Sequence, residues 1–158
     1  MQIRRVRRPE TKSALLERLV HREEGVFETY KDAMVFVAAL AASRNESKPF
    51  EKSDEPIDYT TFARNSDQEA LFQLLSIYNK GDLQLLAEGH ANDRLIIFEE
   101  YAHAGLELLE QEMATSKKSI REVVLKLVSD TQRPDPATTD VNLAKLVDEI
   151  GGLLKEPS

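Results

Sequence analysis

The chain has 158 residues, carries 21 lysines and arginines against 28 aspartates and glutamates, and contains no cysteine. That length suits one domain with a core large enough to fold without a disulfide or a metal, and the missing thiols exclude cysteine catalysis, cysteine-ligated zinc and a disulfide framework. No stretch approaches the roughly 20 apolar residues of a membrane span, and no continuous apolar segment follows the basic N-terminus as in a secretory signal, so a cytoplasmic protein away from membranes is expected.

The net charge of −7 is unevenly placed. Through Arg22, seven basic residues face only Glu10 and Glu17, so the N-terminal segment is cationic and the rest strongly anionic. Residues 1–8 read as an exposed, flexible basic arm. Arg4, Arg5, Arg7, Arg8 and Lys12 are its candidate contacts to nucleic-acid phosphates, because arginines in an arm bind backbone phosphates or enter a narrow minor groove. The competing reading is that they lie in solvent or pair with the chain's own acidic body.

Pro9 suits the first turn of a helix and Glu10 favours its N-terminal dipole. Leu15, Leu16, Leu19 and Val20 recur at helical spacing, and Gly25 is the expected stop. Thr29 is a helix cap, with Asp32 three residues on. From Tyr30 to about Arg44 the chain is apolar nearly all round, with ten consecutive apolar residues from Ala33 to Ala42. Such a helix belongs in an interior, and its alanines allow close approach of neighbours.

Residues 45–65 have no sustained period, and Pro49 and Pro56 interrupt any helix. A long irregular loop is expected, pinned by Phe50, Ile57, Tyr59 and Phe62. Loops of this length are usually functional or partly disordered; Lys52, Asp54, Glu55 and Asp58 are its candidate contacts to a protein partner, and the competing reading is a surface loop of solely structural use. Ser66 with Glu69 forms a capping box for a third helix with Leu71, Leu74, Leu75 and Tyr78 inward, ending at Asn79-Lys80-Gly81. Asn92 is the expected cap of a long central helix running from Leu95 to Met113. A further helix starts at Thr115 or Ser116 and carries Ile120, Val123, Val124, Leu127 and Val128 on one face. A polar connector over 129–139 leads to a last helix at 140–154.

The fold class expected is all-α, a compact bundle of five or six helices over 9–130 whose core uses the second and fourth helices. Strands have little support.

The residues point away from an enzyme. There is no nucleophile elbow, no phosphate loop, and no cofactor motif. Glu100 and His103 have the Glu-x-x-His spacing of di-iron bundles, but that site needs two such pairs and two further carboxylates. A polar helix face is the simpler reading of Glu99, Glu100, His103 and Glu107.

Two runs resemble a known family. They are Phe27-Glu28-Thr29-Tyr30-Lys31-Asp32-Ala33-Met34-Val35-Phe36 with the following Pro49-Phe50 and Lys52-Ser53-Asp54-Glu55-Pro56-Ile57, and Ala91-Asn92-Asp93-Arg94-Leu95-Ile96-Ile97-Phe98-Glu99-Glu100-Tyr101-Ala102 with Gly105-Leu106. The chain is similar there to the Dnd system-associated protein 4 family, over most of residues 4–113 but not in the last two helices. The resemblance implies a bacterial setting beside DNA phosphorothioation genes, which exchange a phosphate oxygen for sulfur and serve phage defence. It implies a non-catalytic accessory whose partners are other proteins of that gene cluster, with DNA and a second copy of the chain left open. The residue-level alternatives are an autonomous DNA-binding protein using the basic arm and, behind it, a metal-dependent enzyme built on Glu100 and His103.

Overall fold

The computed structural model describes residues 2–132. Ten consecutive apolar side chains can satisfy water nowhere, and they set the architecture: α2 (Tyr30–Ser43) is buried at every position from Ala33 to Ala42. Its Thr29 cap accepts from the Asp32 N–H, as the sequence expects. The second central element is α5 (Ala91–Thr115), which at 25 residues is about 37 Å long. It lies directly against α2, and Gly105 is a point of close approach: a Cβ there would stand 1.9 Å from the Val37 carbonyl oxygen.

The remaining helices pack around this pair. α1 (Ser13–Leu19) buries Leu15, Leu16 and Leu19 on α2. α4 (Ser66–Lys80) packs on α5 through Leu71, Phe72 and Leu75. Between them, the short α3 (Tyr59–Ala63) inserts Phe62, whose ring meets Phe72 at 5.3 Å and Phe98 of α5 at 5.7 Å. α6 (Ile120–Gln132) closes the bundle with Val123, Val124 and Leu127 buried.

Several local expectations shift. Asn65, not Ser66, caps α4, its side chain accepting from the N–H groups of Asp67 and Gln68. Gly81 ends that helix in the left-handed region with φ +67°. Leu74 and Tyr78, expected inward, are exposed, because Phe72 takes the inner position beside Leu71 and Leu75. α1 ends at Leu19, six residues before Gly25. Ser119, not Thr115 or Ser116, starts α6: its hydroxyl accepts from the Glu122 N–H while Glu122 accepts from the Ser119 N–H, a reciprocal box. The last helix, expected at 140–154, lies outside the described residues.

The largest correction concerns the arm and the loop. The described residues are mostly helical, yet residues expected as a flexible arm form β1 (Val6–Pro9), and the loop contributes β2 (Ser53–Ile57). The two pair antiparallel with Val6 opposite Ile57, Arg8 opposite Asp54 and Pro9 opposite Ser53, and an irregularity between Val6 and Arg8. Neither segment has strand-forming composition. What pairs them is the opposite charge across the ribbon and the seat that β1 finds on α5. Pro9 therefore ends a strand rather than opening a helix, and a short 3-10 turn (Glu10–Lys12) leads into α1.

Candidate functional site

The β1–β2 ribbon and the face of α5 beneath it gather every residue singled out above as a contact to DNA, and most of those singled out for a protein partner. The centre is Glu99 on α5, whose side chain is 0% exposed. The Arg4 guanidinium donates to both of its oxygens, at 2.7 and 2.6 Å. The Arg7 backbone N–H donates to Oε1 at 2.8 Å, and Arg7 Nε lies 3.2 and 3.3 Å from the two oxygens. A buried carboxylate thus has two cations and a backbone amide, the condition under which such a charge is tolerated in a core.

Asn92 extends the same seam. It does not cap α5, which begins one residue earlier, but accepts from the Arg4 N–H and donates to the Gln2 carbonyl. Arg7 also stacks over Phe50, 4.6 Å from the ring centre, and Phe50 in turn meets the His103 ring edge-on.

The other cations turn to the acidic strand. Arg8 is buried, donates to the Glu55 carbonyl at 2.6 Å, stacks over Tyr30 at 4.2 Å and lies 3.9 Å from Asp54. Arg5 is held by Asp58 at 3.0 Å, by Glu55 at 3.7 Å and by the Pro56 carbonyl. Lys12 is buried against α5, 3.0 Å from Glu110 and 3.8 Å from Glu107. Asp54 accepts from the Ser13 hydroxyl at 2.7 Å, so the strand is tied to α1 as well. Lys52 is exposed and outside this network; its carbonyl accepts from the Glu10 N–H.

Of the Glu-x-x-His pair on α5, His103 spends one ring nitrogen on the backbone. His103 is buried with Nδ1 3.1 Å from the Lys48 carbonyl, which keeps a proton on that nitrogen. The Glu100 backbone carbonyl accepts from the Lys48 N–H. Among the described residues no three His, Cys, Asp or Glu side chains converge as metal ligands, and no helix is long and apolar enough to cross a membrane.

Two carboxylates here are more acidic than usual. The Ser13 hydroxyl and then the Glu55 N–H hold Asp54 below its ordinary range, and the Lys48 ammonium does the same for Glu107. The unfolded chain therefore takes up their protons at higher pH than the folded one. The stability they add is present above the ordinary carboxylate pKa of about 4 and is lost as pH falls through the lowered values. Denaturant midpoints measured at pH 7 and near pH 3 should differ less in a Lys48→Met, Ser13→Ala variant than in the parent chain.

This geometry gives the comparisons with known proteins their context. The family model of DNA sulphur modification system-associated protein 4 matches residues 5–146. The chain belongs to that family. The match begins one residue before β1 and runs through α6 to a point beyond the described residues, so it also covers α6, which the resemblance by motif does not reach. No curated protein and no solved structure matches the chain.

The buried Glu99 clamp was not a candidate from sequence. Its one signal is its place on an apolar stripe of α5, with Leu95, Ala102 and Leu106 at helical spacing around it.

Proposed function

We propose that this member of the family is a non-catalytic accessory or regulatory protein of a bacterial DNA phosphorothioation-linked phage-defence system, working in the cytoplasm chiefly by docking on another protein of that system. The observation that carries the docking is an apolar surface where α4 hands over to α5. Leu83 is 70% exposed, and Tyr78, Leu86 and Ile96 are also open to solvent. Ile96 lines an open groove of about 520 Å³ with Lys80, Asp82, Leu85, Asp93 and Ile97. Single exposed leucines are ordinary, but several exposed apolar residues in neighbouring turns, with Ile96, Leu85 and Ile97 in a groove also lined by charge, have the composition of a protein contact.

The acidic strand is the weaker docking candidate. Asp54, Glu55 and Asp58 already hold Arg5, Arg8 and Ser13, so a partner would have to displace internal bonds to reach them. The same holds for DNA contact by Arg4, Arg5, Arg7, Arg8 and Lys12.

Co-purification with the other proteins of the gene cluster, with and without nuclease, tests the reading. A cluster protein should be retained after nuclease treatment. Leu83→Glu with Ile96→Glu should abolish retention while leaving the unfolding free energy within about 0.5 kcal/mol of the parent, because both side chains are exposed. Alanine at Asp54, Glu55 and Asp58 should instead lower stability and leave retention intact. Retention of no cluster protein would remove the docking reading; retention unaffected by the Leu83 and Ile96 changes would move the interface elsewhere.

A further inference from the structure

We propose that the turn between α5 and α6, together with the C-terminal end of α2, forms a face that contacts the sugar–phosphate backbone of DNA. The proposal takes DNA as the polyanion from the reading of the chain as an accessory to DNA sulphur modification; the location rests on charge and geometry alone.

Lys117 and Lys118 lie in the four-residue connection between the helices, Arg121 and Lys126 lie on α6, and Arg44 caps α2. Three observations bring Lys126, Arg44 and Lys118 together, and Lys117 and Arg121 are their neighbours in the chain. An ion pair from Lys126 to Glu112 ties α6 to the last turns of α5. α6 packs against α2 as well as α5. The Lys126 hydrogen bond, and behind it the charges of Lys126, Arg44 and Lys118, hold the Glu112 carboxyl below its usual range, which places all three cations around one carboxylate.

The sign of the face is positive on a chain of net charge −7. Lys126 neutralises Glu112 and Glu122 is engaged in capping α6, so Arg44, Lys117 and Lys118 are the cations that carry the face. Asp130 acts on Lys126 through its charge, and Glu46 lies two residues after Arg44.

The availability of these cations separates them from the N-terminal ones. Arg44, Lys117 and Lys118 are exposed, and Arg44 and Lys118 act on Glu112 only through their charge, while Glu112 is bonded by Lys126. The N-terminal arginines Arg4, Arg5, Arg7 and Arg8 are held by Glu99, Asp54, Glu55 and Asp58. Other exposed cations are scattered beside acids in the chain, Arg18 next to Glu17, Lys52 next to Glu51 and Lys80 two residues before Asp82. A strongly anionic body repels a duplex everywhere except at a locally cationic face, so contact is confined to such a place.

The test is fluorescence anisotropy of the full chain with a labelled duplex of a few helical turns, across a salt series. Binding should weaken linearly on a log–log scale, with a slope near 0.9 per phosphate neutralised. Arg44→Ala with Lys117→Ala and Lys118→Ala should lower that slope by about 3 and weaken binding more than tenfold at low salt, with the unfolding midpoint unchanged. Arg18→Ala with Lys52→Ala and Lys80→Ala removes the same charge elsewhere and should leave the slope nearly intact. The proposal is overturned if the parent chain binds no duplex at low salt, if the first triple variant keeps its affinity and slope, or if the two triple variants lose equally. Nuclease-resistant co-purification reads the docking function separately, so either can fail without the other.

Discussion

Replacing Glu99 by glutamine should cost about 2–4 kcal/mol of folding stability and release the N-terminal strand. The change keeps the side chain's shape but removes the buried negative charge that faces Arg4 and Arg7. Breaking a fully buried ion pair from one side costs about 3–5 kcal/mol; the lower figure follows because the two arginine side chains are 29% and 33% exposed and recover part of their solvation. For a chain of this size the melting temperature should fall by on the order of 10 °C. The local readout distinguishes this from general weakening. Amide exchange at residues 4–9 should accelerate far more than at α2, and the ribbon should become open to proteolysis. Glu100→Gln, one residue away on a half-buried side chain, is the control and should fall within about 0.5 kcal/mol of the parent. If exchange in the ribbon were unchanged in Glu99→Gln, the clamp would not be what holds it.

The freed strand has a second use. In that variant Arg4 and Arg7 become available, so duplex binding through the arm, as the sequence alone suggests, can be measured directly. A rise in affinity and salt slope over the parent chain would mean that the arm is competent for DNA and is held back by Glu99. An unchanged slope would leave the arginines with a structural role.

The helical part of this fold was legible because it depends on pattern. An all-round apolar run can only be central, and α2 is; a long segment with more than one apolar stripe can only be a second central helix, and α5 is. Periodicity also placed the buried face of α6 at Val123, Val124 and Leu127. It failed at α4, where Leu71, Phe72, Leu74, Leu75 and Tyr78 offer more apolar residues than one face can bury; the neighbours decided that Phe72 goes inward and that Leu74 and Tyr78 stay out.

The ribbon was hidden for a different reason. Neither Val6–Pro9 nor Ser53–Ile57 has strand propensity, and pairing between segments more than forty residues apart leaves no local period to detect. Composition separated a basic arm from an acidic loop and suggested a separate partner for each. The alternative noted from charge, that the arm docks on its own body, is the arrangement the structure contains. The same residues were therefore found, but their partners are largely each other. Glu99 escaped because paired carboxylates are common in this chain, and only its register with Leu95, Ala102 and Leu106 marks it as inward.

Gly105→Ala should produce the other large effect, and with a sign opposite to helix propensity. In an isolated helix, alanine is better than glycine by about 1 kcal/mol. Here the added carbon would stand 1.9 Å from the Val37 carbonyl oxygen, 2.5 Å from its carbon and 2.9 Å from the Val37 Cβ. Two of those atoms belong to the backbone of a buried helix and cannot rotate aside. α2 and α5 would have to separate, opening the contact that organises the core, so overpacking outweighs propensity and the net loss should be about 3 kcal/mol or more. Gly89→Ala is the matched control. Nothing lies within 4 Å of its added carbon, so that variant should be neutral or gain about 0.5 kcal/mol by restricting the unfolded chain. Val37→Ala in the Gly105→Ala background should recover little, because the backbone contacts remain after the side chain is trimmed. Equal melting temperatures for Gly105→Ala and Gly89→Ala would mean that the two central helices are not in the contact described, and the placement of the ribbon on α5 would then need to be drawn again.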